Sequence, residues 1–335
     1  MSPPVILAYR GYGTLREVYV MGHVLDDRVL FESEADDSRR KNMKAMLSRY
    51  MSSSIPDCAV KIDFEGRSVV AKTDANGYFS HRFVFDSPIS TVGWLPVTYE
   101  ILDLIVDNQQ SLVTTGDCLI IPEDASTGII SDIDDTIIVS HATNVFKKLR
   151  LILTKNAKTR MPFAGVSAFY HALTNKYNRP LFYVSSSEWN LYDFITDFFE
   201  TQQLPKGPLL LQDLKDDLPS LVKSGGGTHD HKFDKINHLF EMYRHLSFIL
   251  IGDSGQRDAE IYTQIARKYP NRVEAIYIRD VTNNSEHKRM LTLVAEPAKV
   301  GVQMILVPTT KEAALQAASA GYITNSELEE LNAHF

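Results

Sequence analysis

The sequence predicts an α/β protein: a small, sandwich-like β domain at the front, then a parallel sheet covered by helices. Two observations predict it. Up to about residue 118, short segments alternate apolar and polar residues and are separated by Gly and Asn turns. From residue 128 onward, unbroken apolar runs alternate with stretches of helical period, the pattern of strands covered on both faces. The expected boundary gives a β-rich domain over 1–118 and a second domain over 119–335.

In the front part, "VYVMGHVL" (18–25) is rich in β-branched and aromatic residues and predicts a strand. In "AVKIDFEG", Val60, Ile62 and Phe64 alternate with Lys61, Asp63 and Glu65, the period of a half-buried strand. "TDANGYFSHRFVF" predicts a turn at Ala75-Asn76-Gly77 and a strand running on through Phe83 and Phe85. "WLPVTYEILD" predicts a further strand, and "SRRKNMKAMLSRY" (38–50) a basic helix. In the second part the strand candidates are "GIIS", "RPLFYVS" (179–185), "LSFILIG" (246–252), "RVEAIYI" (272–278) and "VGVQMILV" (300–307). "EIYTQIARKY" and "KEAALQAASAGYI" supply helices. "KSGGGTHDHK" (223–232) is glycine-rich but lacks the order of a phosphate-cradling loop, and is read as a linker.

Composition narrows the function classes. The chain has 335 residues, 44% hydrophobic and 23% charged, enough to bury a sizeable core. A formal charge of -7 gives no net attraction to nucleic acid or anionic lipid, so no nucleic-acid partner is expected. Cys58 and Cys118 form neither a zinc nor a redox spacing and are expected to be ordinary buried thiols. No basic stretch with an apolar core opens the chain, and no apolar run approaches the roughly 20 residues of a spanning helix. A cytoplasmic protein is expected.

The chemistry gathers where the apolar runs end. The first ends in Asp132-Ile133-Asp134-Asp135-Thr136 and the second in Ser185-Ser186-Ser187. The third ends in Gly252-Asp253-Ser254-Gly255-Gln256-Arg257-Asp258, and the helical stretch before it carries Lys232. In a parallel sheet, ligands bind outside the carboxyl ends of the strands. Such a set can hold a divalent ion between carboxylates while offering a phosphate a hydroxyl and an ammonium.

This order of D-x-D-x-T, hydroxyl, lysine and G-D with a later Asp resembles the four motifs of the haloacid dehalogenase superfamily. The longer blocks "GIISDIDDTI", "FYVSSSEW", "HKFDKI", "FILIGDSGQRDAEIY" and "IYIRDV" look like those of the actin-patch-associated phosphatidate phosphatases. The resemblance spans roughly residues 120 to 325. It implies a Rossmann-like parallel sheet of the haloacid dehalogenase type, Mg²⁺ as cofactor, and phosphatidic acid as substrate. Members usually read S-N-S-P-W where this chain has Ser185-Ser186-Ser187-Glu188-Trp189, so Glu188 adds a charge at the mouth.

With that resemblance, Asp132 is the expected nucleophile and Asp134 the acid that protonates the leaving oxygen, then activates water. Thr136 is expected to order the turn, while Ser185, Ser186 and Lys232 bind the phosphoryl group, Lys232 also pairing with Asp132. The block "HK…KI" favours Lys232 over Lys235. The expected metal set is Asp132, Asp134 through its carbonyl, Asp253 and Asp258. Asp135 is read as a capping residue, and His229, His231 and His238 as surface residues rather than ligands.

Two other functions compete: a phosphatase of a soluble phosphomonoester, and a non-catalytic phosphatidate-binding module. Retention of Asp134 argues against the second. The 48 residues between Thr136 and Ser185 and the 46 between Ser185 and Lys232 leave little room for a cap, so an open site is expected. Residues 145–158, "VFKKLRLILTKNAK", form an apolar face with lysines opposite, which fits either a helix packed on the sheet with a solvated basic face or a patch for peripheral membrane contact.

Overall fold

A computed structural model describes residues 4–26, 53–103, 112–137, 163–175, 178–212, 231–281 and 284–335. The expected basic helix at 38–50, the amphipathic stretch at 145–158 and the glycine-rich segment 223–230 lie outside them. The chain divides into two compact units, Met1–Glu123 with Asn190–Phe194, and Asp124–Trp189 with Ile195–Phe335.

The first unit is built from β1 (Pro4–Gly13), β2 (Glu17–Asp26), β3 (Ala59–Phe64), β4 (Arg67–Lys72), β5 (Tyr78–Val84), β6 (Gly93–Ile101) and β7 (Leu112–Ile120). These make one sheet in the order β4-β3-β6-β7-β1-β2-β5. β1 and β7 pair parallel, and the other neighbours are antiparallel. The outer strands approach each other, with Arg67 Nη1 of β4 donating to the Val84 carbonyl of β5 at 2.6 Å. The sheet therefore curls into a nearly closed barrel around Val20, Val60, Ile62, Phe79, Val97 and Tyr99. Cys58 and Cys118 are buried and unlinked.

This corrects the expected fold class. The alternation in β3 is real, every second residue from Val60 being buried. A period of two says only that one face is covered, however, and a sheet curled on itself covers that face as well as a second sheet does. A single mixed seven-stranded sheet therefore stands where a two-sheet sandwich was expected.

The second unit carries β8 (Thr127–Ser131), β9 (Leu181–Glu188), β10 (Leu209–Gln212), β11 (Ser247–Asp253), β12 (Val273–Arg279) and β13 (Gln303–Val307). All neighbours pair parallel, in the order β10-β9-β8-β11-β12-β13. The helices along this part of the chain are α1 (Val166–Asn175), α2 (Tyr192–Thr201), α3 (His231–Met242), α4 (Asp258–Lys268), α5 (Asn284–Val294), α6 (Thr310–Ser319) and α7 (Asn325–Asn332). Ile129, Ile130, Phe182, Leu250, Ile276 and Ile278 are buried, as unbroken apolar strands require. The fold class is thus a curled mixed sheet and a six-stranded parallel sheet, in place of a haloacid dehalogenase-type sheet behind a sandwich. Among the described residues, no helix is long and apolar enough to cross a membrane.

The topology brings four strand ends side by side. Ser131 lies level with Ile251, Asp253 with Arg279, and Arg279 with Val307. After β8 the chain moves first to β9 on one side and later to β11 on the other. A parallel sheet opens a crevice where its strand order reverses in this way.

Candidate active site

Asp132 follows β8 directly, its N–H donating to the Ile251 carbonyl at 2.8 Å. The chain then turns sharply, with Asp135 at φ 52° and Ile137 N–H donating to the Ile133 carbonyl at 3.0 Å. Asp tolerates this left-handed backbone better than most residues. The turn keeps both Asp132 and Asp134 buried at the strand ends.

Asp132, Asp253 and Asp258 are fully buried, and one oxygen from each lies within 4.8 Å of the others. Lys232, from the first turn of α3, enters this cluster. Its Nζ stands 3.0 Å from Asp132 Oδ1 and donates a short hydrogen bond to Asp258 Oδ1. Asp253 Oδ1 accepts the backbone N–H groups of Gly255 and Gln256 at 2.6 and 3.0 Å. Asp258 Oδ2 accepts the Asp253 N–H at 3.2 Å. Gly252 makes this packing possible, since a Cβ there would stand 2.4 Å from Asp258 Oδ2.

Burial pushes the Asp132 carboxyl well up, with Asp258, Asp253 and Asp134 adding to the rise and Lys232 opposing it. Burial, then Asp258, pushes Asp253 up to about 7. Burial alone would lower Lys232, but the Asp132 and Asp258 carboxylates outweigh it and hold the ammonium firmly protonated. Three carboxylates thus face one ammonium. Asp253 Oδ2 is buried with no hydrogen-bond partner. Crowded hard oxygens with a spare buried acceptor suit a divalent cation, so the residues present fit a metal cofactor.

The second carboxylate of the D-x-D motif has its own partners. Asp134 Oδ2 accepts from Ser185 Oγ at 2.9 Å and from Ser187 Oγ at 3.1 Å. Ser185 Oγ in turn accepts the Ser187 N–H at 2.8 Å. Burial raises Asp134, against the lowering effect of those two hydroxyls. Such a carboxyl is poised to hold a proton and then release it.

The structure brings Asp132, Asp134, Ser185, Lys232, Asp253 and Asp258 together. Ser186 is exposed, and Thr136 is buried with a hydroxyl that bonds to nothing described. Lys235 donates to the Ser185 carbonyl at 3.3 Å. Two participants were missed. Ser187 faces Asp134, and its place two residues after Ser185 on a strand was the available signal, since alternate residues share a face. Gln256 Nε2 donates to Asp132 Oδ2 at 3.3 Å, and nothing in the sequence pattern marked it.

Residues 127–280 match the family model described as the catalytic domain of phosphatidate phosphatase APP1. Phosphatidate phosphatase APP1 of Saccharomyces cerevisiae is 30% identical over 158 residues, 47% of this chain and 26% of that protein. An uncharacterised protein of Schizosaccharomyces pombe is 29% identical over 163 residues, covering 47% and 25%. The chain thus spans about a quarter of the length of these curated relatives. Among solved structures, a carbohydrate acetylesterase from Xanthomonas citri aligns at TM-score 0.28 and 12% identity, over 96% of this chain and 75% of that one. A β-glucuronidase from Bifidobacterium dentium aligns at 0.25 and 8%, over 91% and 52%.

Proposed function

We propose, from the match of residues 127–280 to the phosphatidate phosphatase APP1 catalytic-domain model, that this chain is a Mg²⁺-dependent phosphatase hydrolysing phosphatidic acid to diacylglycerol and phosphate. One observation carries the reading: a buried lysine shared between two aspartates, beside a third aspartate with a spare oxygen. Asp132, Asp253, Asp258 and the carbonyl of Asp134 would hold the Mg²⁺. When bound, the ion neutralises carboxylate and phosphate charge together and polarises the phosphoryl group.

The residues of the chain divide the remaining work. A carboxylate oxygen of Asp132 attacks phosphorus while the bond to the glycerol oxygen breaks, leaving an aspartyl-phosphate. The departing oxygen takes the proton that Asp134 carries, and diacylglycerol leaves. A water then attacks the same phosphorus and gives its proton to Asp134, and the acyl-phosphate bond breaks to free phosphate and restore Asp132. Lys232 holds Asp132 in place and stabilises charge on the equatorial oxygens. Ser185 and Ser187 keep Asp134 aimed at the leaving oxygen.

Phosphate release from phosphatidic acid in mixed micelles, measured beside a panel of soluble phosphomonoesters with and without Mg²⁺, tests this. The expected result is Mg²⁺-dependent release from the lipid, at a kcat/KM well above that for any soluble ester. Faster turnover of a soluble ester would replace the lipid substrate, and no release from either would overturn the enzymatic reading.

A further inference from the structure

The carboxylate of Asp132 has two oxygens, and different groups hold them. Asp132 Oδ1 stands 3.0 Å from Lys232 Nζ, both side chains being buried. Asp132 Oδ2 accepts from Gln256 Nε2 at 3.3 Å. Gln256 is only half-buried, and its neighbours Gly255 and Arg257 are exposed. Oδ2 is therefore the oxygen turned toward the more open part of the site.

The backbone that carries Gln256 is pinned. Its N–H donates to Asp253 Oδ1 at 3.0 Å, beside the Gly255 N–H at 2.6 Å. The Ser254 N–H donates to the Arg279 carbonyl at 2.9 Å, and Ser254 Oγ accepts the Val281 N–H at 2.8 Å. Asp258, which starts α4, accepts the Asp253 N–H at 3.2 Å. The turn between β11 and α4 is thus tied to both of its own ends and to the end of β12. A donor fixed in advance needs little reorganisation when charge develops beside it.

The residue type matters as much as the place. A lysine or arginine here would set a second cation on Asp132 and blunt its attack. A glutamate would repel both the carboxylate and a phosphate. A neutral amide donates from Nε2 and leaves the charge on Oδ2.

We propose that Gln256 is a catalytic residue: Asp132 Oδ2 is the attacking oxygen, and the amide passes from it to a phosphoryl oxygen as the bond to phosphorus forms. This inference rests on the phosphatase reading above. Before attack, the amide aims Oδ2, and Lys232 keeps Oδ1. Oδ2 then bonds to phosphorus while the glycerol oxygen leaves with its bonding pair and takes the proton of Asp134. Oδ2 is now the bridging oxygen of the aspartyl-phosphate and a weak acceptor. Charge lies instead on the equatorial oxygens of the same phosphorus, next to Oδ2 and within reach of the same N–H. A hydrogen bond that strengthens in the transition state raises kcat and leaves KM little changed.

The test is steady-state kinetics of the full chain with Mg²⁺, on the phosphomonoester that the wild type hydrolyses fastest. Gln256→Met keeps the length of the side chain and removes the donor. It should lose roughly tenfold to a hundredfold in kcat, the effect of one hydrogen bond to a charged group, with KM within about twofold. Gln256→Glu keeps the shape, adds a repelling charge and should lose more. Inhibition by orthovanadate, a five-coordinate mimic of the transition state, should weaken in Gln256→Met by the same factor as kcat. Inhibition by inorganic phosphate should change little. Melting temperatures establish that the variants fold, and Gln256→Ala decides should Gln256→Met not fold. Wild-type kcat and vanadate inhibition in the folded variant would overturn the role of Gln256 and leave the phosphatase reading standing. A rise in KM at unchanged kcat would do the same, since it marks uniform binding. A wild type that releases phosphate from no ester would overturn both.

Discussion

Lys232 Nζ lies 3.0 Å from Asp132 Oδ1 and also donates to Asp258, with all three side chains buried. One ammonium therefore fixes the expected nucleophile to an expected metal ligand across three separate elements. Lys232→Met leaves two buried carboxylates uncompensated. In EDTA this should cost about 3–5 kcal/mol of stability, the usual consequence of removing one partner of a buried pair. Turnover should fall by roughly 10²-fold or more even where Mg²⁺ restores the fold. Chemical denaturation with and without Mg²⁺, beside phosphate release, checks both. A variant as stable as wild type in EDTA would show that the pair carries no such weight.

Asp134 is held by two hydroxyls, and hydroxyl donors favour its ionised form. Removing Ser187 Oγ by Ser187→Ala should raise the Asp134 pKa further. The limb of the pH–rate profile that reports loss of its proton should then move to higher pH. Ser186→Ala, at an exposed position, should leave the profile in place. The comparison of the two profiles is the measurement.

The clustering of Asp132, Lys232 and Asp253 was more legible than the fold, for a physical reason. Asp132, Lys232 and Asp253 are costly residue types to bury, and their placement at the ends of apolar runs left a chemical motive as the simplest account. The parallel sheet was legible because Ile129-Ile130 and Phe248 to Ile251 admit no solvent-facing side. Strand pairing was not legible. β1 joins β7 across more than ninety residues, and local alternation does not encode such a partner. β1, β4, β7 and β10 went unassigned: β4 is largely exposed and β10 is a run of only four residues. Gln256 was invisible because a glutamine in a turn has no periodic signature, and its role comes from where β11 delivers it.

His23 supplies a pH test in the first unit. It is buried against Tyr78, with Nε2 3.0 Å from Ser54 Oγ, and burial lowers its pKa to about 4. In the unfolded chain it titrates near 6.5. Between those values the unfolded chain binds a proton that the folded one does not, so stability rises with pH across this window. The contribution is complete above about 6.5 and is lost as pH falls toward 4. The loss amounts to on the order of 3 kcal/mol. Denaturation curves at several pH values should show a clearly flatter dependence for His23→Gln. Equal slopes in the two proteins would mean that another group governs the acid limb.

Asp253 gives the sharpest test of the metal, because its two effects have opposite sign. In EDTA it is one of three carboxylates around a single ammonium, and its Oδ2 has no hydrogen-bond partner. Asp253→Asn keeps an acceptor for the Gly255 and Gln256 N–H groups. It replaces the orphan oxygen with a donor beside carboxylates and removes one negative charge. The metal-free variant should therefore be more stable than metal-free wild type, by roughly 1–3 kcal/mol. Added Mg²⁺ should reverse the order. A cation that binds only the folded state stabilises it in proportion to ln(1 + [Mg²⁺]/Kd), and the variant has lost a charged ligand. Wild-type melting temperature should climb steadily with Mg²⁺ while that of Asp253→Asn stays nearly flat until much higher concentration. Melting curves across a Mg²⁺ series read both effects without reference to activity. If the two curves rise in parallel, the cation binds elsewhere and Asp253 is not among its ligands.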